Sequence, residues 1–156
     1  MVDITEISAM VAAVGVLIAV IYYILDIRNQ AKLRKTDLVM RLYSAFGSPE
    51  FVEAWEIMRK REFTDYETYE KKYGLSAYMQ VSTLFEEVGI LLGRRLIDND
   101  LVDDLFSVPV RLAWERMKVL IQEDRKQTNE PRTWEWFEYL YNEMKKREQK
   151  LQQSKA

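Results

Sequence analysis

The sequence predicts an all-α protein, with one N-terminal transmembrane helix continuing into a compact cytoplasmic helical domain of about five to six helices. Three observations predict it. Residues 7–25 form an uncharged run closed by Glu6 and Asp26. Only five Gly and three Pro interrupt the 156 residues, so turns are few. The remaining apolar residues recur at helical spacing, with no alternating strand pattern of any length.

The nineteen residues 7–25 would span roughly 28 Å as a helix, close to the hydrocarbon thickness of a bilayer. A cleaved signal peptide has basic residues ahead of its apolar stretch and small residues at its end. Here Asp3 and Glu6 precede the run, and Tyr22, Tyr23, Ile24 and Leu25 end it. A buried core helix rarely runs this far without a charge. No Lys or Arg precedes the span, whereas Arg28, Lys32, Arg34, Lys35 and Arg41 follow it. Basic residues stay on the cytoplasmic side, so the sequence predicts a single-pass protein of the cell (inner) membrane with its N-terminus outside. Tyr22 and Tyr23 fit interfacial anchors, and ordinary span residues equally well. The basic cluster fits anionic head groups, a partner class of membrane lipid, although topology alone accounts for it.

The expected organisation is an extracytoplasmic segment 1–6, the span 7–25, a stalk and first domain helix 26–46, the helical domain 47–146 and a frayed tail 147–156. Asp3 and Glu6 are the only charges ahead of the span, so the chain from Asp26 onward carries 23 basic and 23 acidic residues. That balance argues against nucleic acid as a partner, which requires a basic surplus. The chain has no Cys and no His. Disulfides, thiolate zinc sites, thiol nucleophiles and imidazole bases or ligands are therefore out of reach.

Leu38, Val39, Leu42 and Phe46 continue the first helix, and Gly47 ends it. Ser48-Pro49-Glu50 reads as N-cap, first helical position and acidic first turn; the helix it opens carries Phe51, Trp55 and Met58 on one face. Thr64-x-x-Glu67 has the capping-box pattern and opens a short helix to Tyr73, stopped by Gly74. A long central helix follows from Ser76 to about Arg95. Its stripe is Tyr78, Val81, Phe85, Val88 and Leu92, flanked by Leu84 and Leu91. Asp98 or Asn99 caps a short helix through Phe106. Ser107-x-Pro109 starts another, with Val110, Trp114, Met117 and Ile121 inward. A polar loop, 127–131, leads to a last helix beginning near Pro131, with Trp134, Phe137, Tyr141 and Met144 on one face.

Several features invite a functional reading. Ser8, Ala12, Gly15 and Ala19 place small residues along one face of the span, which suits packing against another span. Glu86 and Glu87 are adjacent carboxylates on the central helix, but neighbours on a helix point about 100° apart and do not converge. Glu87 is expected in solvent, and Glu86 at the boundary in a structural ion pair, to Arg111 or Arg94. Gly89 and Gly93 beside it allow another helix to cross closely. Asp98, Asp100, Asp103 and Asp104 resemble a calcium loop only in part, since Asp103 and Pro109 stand where that loop needs Gly and Glu. In residues 134–141, Trp136 and Tyr139 fall off the core face and form a candidate partner surface.

The stretches Leu84-Phe85-Glu86-Glu87-Val88, Arg94-Arg95-Leu96-Ile97-Asp98, Leu101-Val102-Asp103-Asp104-Leu105-Phe106 and Trp114-Glu115 resemble a prokaryotic membrane-anchored helical family catalogued as domain of unknown function 4760. The family often reads Arg-Gly-Leu-Ile-Asp where this chain has Arg95-Leu96-Ile97-Asp98 without the Gly. The resemblance implies a span followed by a cytoplasmic helical domain, and supplies no catalytic residues. The expected function is that of a non-enzymatic interaction module. It would be an accessory subunit or adaptor of a membrane complex, partnered by other membrane protein subunits or by itself, without cofactor or metal. The alternative is a membrane-tethered ligand sensor or carboxylate-dependent enzyme with a pocket near Glu86.

Overall fold

The structure is a computed structural model describing residues 3–60 and 65–153. Among these residues it contains no strand and six helices: α1 (Ile4–Phe46), α2 (Pro49–Lys60), α3 (Tyr66–Tyr73), α4 (Ser76–Gly93), α5 (Asn99–Thr128) and α6 (Glu135–Gln153). The chain divides into two compact units, Met1–Asp37 and Leu38–Ala156. In the first, α1 is long and apolar enough to cross a membrane, and none of its apolar window is buried.

The second unit has a continuous core. The last turns of α1 bury Val39 and Leu42 and half-bury Phe46. Ser48 caps α2 as expected, its Oγ accepting from the Phe51 N–H at 3.2 Å. Phe51, Ala54 and Met58 point inward from α2. Rings then link the helices: Phe46 to Phe51 at 4.9 Å, Phe51 edge-on to Phe85, Phe85 stacked on Phe137 at 5.1 Å, and Trp114 edge-on to Phe137. Each such ring pair adds about 0.5–1.5 kcal/mol beyond its buried area. Thr64 lies outside the described residues; the observed cap of α3 is Asp65, whose carboxylate accepts from the Thr68 N–H at 2.7 Å. Gly74 stops α3 with φ 70°, a conformation glycine adopts without steric cost.

The central stripe of α4 is buried as expected, with Tyr78, Val81, Phe85 and Val88 fully inaccessible. The helix ends in a Schellman motif: Arg95 N–H donates to Leu92 O and Leu96 N–H to Leu91 O, both at 2.9 Å. Arg95 takes φ 58° there. A Cβ is disfavoured in that region, so the turn is made by a residue type that does not readily adopt it.

Two expectations are corrected. Residues 99–128 form one helix, α5, not two joined at Ser107. Val102, Phe106, Val110, Ala113, Met117 and Leu120 stay in one buried register on both sides of Pro109. Their burial, about 1.5–3 kcal/mol for each large side chain, outweighs the roughly 3 kcal/mol that a mid-helix proline costs. The last helix begins at Glu135 rather than near Pro131. Asn129 ends α5 in the left-handed region at φ 54°, and Trp134 takes φ 58° before α6 starts. α6 runs to Gln153, with Arg147 paired to Asp100 and Asp103 and Glu148 to Arg111.

α4 and α6 share the most extensive helix contact. At Gly89 an added Cβ would overlap the Trp136 carbonyl, lying 2.6 Å from its carbon. At Gly93 it would meet the Trp136 ring, 3.0 Å from Cε3. Gly89→Ala should therefore lower stability by about 1–3 kcal/mol in urea unfolding, because backbone must move, despite the roughly 1 kcal/mol gain in helix propensity. Gly93→Ala should cost less, since a ring can turn aside. Arg95→Gly should raise the unfolding midpoint, by up to about 1 kcal/mol in stability, by relieving the left-handed backbone.

Candidate functional site

The small residues Ser8, Ala12, Gly15 and Ala19 are exposed along α1, and nothing lies within 4 Å of a Cβ built on Gly15. Tyr22 and Tyr23 are exposed, as are Arg28, Lys32, Arg34 and Lys35.

Glu86 is half-buried and Glu87 exposed, as their register on α4 suggests. Among the described residues no ion pair joins Glu86 to Arg111 or Arg94. Arg111 is drawn instead to Glu148, because α6 runs alongside α5 and brings that carboxylate closer. Glu86 Oε2 accepts from the Phe137 N–H at 2.7 Å, and the Trp136 N–H also favours its charged form. The side chain thus caps the first turn of α6 from a neighbouring helix, meeting donors that have no partner inside α6. Burial nevertheless raises its carboxyl above the ordinary value, outweighing those two backbone donors.

Of the candidate surface pair, Trp136 is half-buried over Gly93, and its ring stands edge-on to Tyr139 at 5.6 Å. Tyr139 is the exposed member of the pair, at 36%. Asp98 caps α5 through the Asp100 N–H, while Asp100 and Asp103 turn to Arg147. No cluster of three metal-binding side chains occurs among the described residues.

Sequence reasoning missed two features. The first is a buried polar string. Trp134 Nε1 donates to the Tyr78 hydroxyl, which donates to Asp124 Oδ2, both at 2.8 Å. Burial, followed by the hydrogen bond to Asp124 and then its charge, pushes the Tyr78 phenol far above its usual range. The available signal was Asp124 itself, an acid in phase with the apolar stripe of α5. The string pins the left-handed Trp134, and Arg125 reinforces the connection by reaching Thr133 O and Glu138.

The second is an apolar groove of about 630 Å³ in the second unit. Phe46 of α1 and Trp55 and Met58 of α2 form one side. Leu105, Val108 and Leu112 of α5 form the other, with Val108 and Leu112 more than half exposed. Pro109 also lines it and cannot donate, so the Leu105 carbonyl lacks its usual helical partner. Arg59 and Arg116 are the charged residues of the lining. No sequence periodicity marks this groove, because its walls come from three helices.

The Glu86 cap has a pH signature. Because its folded-state value is raised, the stability linked to its protonation is fully present below about 4.5 and is lost as pH rises through the raised value. Glu86→Gln does not titrate, so its unfolding midpoint should gain on the unsubstituted protein across that interval. Glu86→Ala should cost about 0.5–2 kcal/mol, the range of a lost N-cap.

No curated protein and no solved structure matches the chain. A family model matches residues 9–144, reaching from within the apolar run of α1 to Met144 of α6, and so covers most of the helices described above. The chain belongs to the family described as Domain of unknown function (DUF4760).

Proposed function

We propose that the protein is a single-pass membrane-anchored interaction module, an accessory subunit or adaptor of a membrane protein complex, and that it self-associates through its span. One observation carries this reading: the apolar window of α1 is wholly unburied, while Leu38–Ala156 has a complete core without it. An apolar helix of that length, covered by nothing in its own chain, calls for a bilayer and for other spans. The open face at Gly15 supports helix association, since small residues let backbones approach. The exposed basic residues after the span support an outside N-terminus and a cytoplasmic domain. The alternative, chemistry at Glu86, gains no support, because that carboxylate serves as a helix cap.

Both parts can be tested. Gly15→Ile should weaken crosslinked dimers and shift native-gel mobility of the detergent-extracted protein; unchanged assembly removes this face from the contact. The chain has no cysteine, so single cysteines report topology directly. Thr5→Cys should react with a membrane-impermeant maleimide in intact cells, and the exposed Thr83→Cys only after lysis. The reverse pattern overturns the orientation.

A further inference from the structure

The groove between α1, α2 and α5 carries an inference separate from anchoring. Among the described residues its lining is apolar apart from Arg59, Arg116 and the Tyr43 hydroxyl, and contains no acid. Neither arginine makes an ion pair or hydrogen bond with a described residue. Two acids close in sequence have nearer partners: Glu56 holds Lys60 at 2.5 Å, with Arg59 adding a lesser attraction, and Glu115 holds Lys118 at 2.5 Å and accepts from Tyr141. Two guanidiniums without an ion pair among the described residues therefore border a cleft walled by Phe, Trp, Tyr, Met, Leu, Val and Pro.

Guanidinium forks match carboxylate and phosphate oxygens, and the apolar walls match a hydrocarbon body. The volume of about 630 Å³ falls within the roughly 300–1,000 Å³ of small-molecule sites. Ten residues line the groove, against the roughly 20–30 a side of a standard protein interface. Pro109 helps to make the cleft: at this point on α5 there is no N–H to satisfy, and its ring adds apolar surface.

We infer that this groove binds a single-chain amphiphile with an anionic head, its tail lying between Trp55, Met58 and Leu112 and its head meeting Arg59 and Arg116. A membrane-held chain meets such molecules at high local concentration, but occupancy of the groove does not depend on the anchor or on self-association. The domain becomes a reader of free acyl anions or lysolipids, and its contacts with other subunits become open to control by them.

The test uses the full chain in discs of zwitterionic lipid, labelled with ¹³C at its methionine methyls. Decanoate and decyl phosphate are titrated separately, with decanol as the uncharged control. Met58, in the groove, should shift saturably with at least one anion, while Met144, in the core on α6, should not. The stronger of the two anions identifies the head group. Arg59→Gln with Arg116→Gln should weaken the preferred anion at least about tenfold while leaving decanol unchanged. Leu112→Trp should fill the cleft and abolish the Met58 response. An unmoved Met144 signal in each variant establishes that the fold is intact. Absence of a saturable Met58 shift with either anion, or equal affinity after both arginines are replaced, overturns the proposal and leaves the groove to a protein segment.

Discussion

The seat of α6 on α4 organises the second unit. Glu86, Gly89 and Gly93 fall on one face of α4, and each receives the start of α6 differently. The carboxylate accepts its N–H groups, the first glycine admits a backbone carbonyl, and the second lies beneath the Trp136 ring. A helix start is polar and is normally kept in water or capped by its own chain. Here the neighbouring helix does the capping, so the two backbones can meet without side chains between them. The carboxylate is partly desolvated as a result, which is why its proton is held more tightly than usual. Just upstream, the chain must turn sharply to reach this seat. The left-handed Trp134 makes that turn and is secured by Tyr78 and, through it, Asp124.

α5 resolves a different conflict. Its proline breaks a local rule, yet the helix continues because its buried register is unbroken on both sides. The cost does not vanish; it is moved to a surface where the weakened turn, with an orphaned carbonyl at Leu105, borders the groove. Local frustration of this kind, retained inside an otherwise consistent fold, is where binding sites are commonly found.

Much of this was legible in the sequence, for identifiable reasons. The stripe of α4, the Ser48 cap and the close crossing at Gly89 and Gly93 depend on spacing along one helix, which a linear sequence carries. What escaped depends on register between helices. Arg111 is placed by α5 and Glu148 by α6, so their pairing follows only once those helices lie side by side. The same holds for Trp136, whose position off the core face of its own helix says nothing about the gap waiting on α4. Pro109 misled because its local signal is that of a helix start, and only the shared burial of Phe106 and Val110 overrides it. Arg95 is the converse case, a left-handed turn made by a residue whose type gives no sign of it.

The division of α1 between units has a practical consequence for anyone wishing to separate the apolar helix from the domain. The natural breakpoint by eye is Gly47, where the first helix ends. Cutting there would discard Val39 and Leu42, both buried, along with the ring of Phe46, and would leave a hole facing Phe51, Phe85 and Phe106. A cut upstream of Leu38 removes only surface that the core never uses. The boundary between the exposed apolar unit and the unit with a core therefore lies inside a continuous helix, about two and a half turns before its visible end.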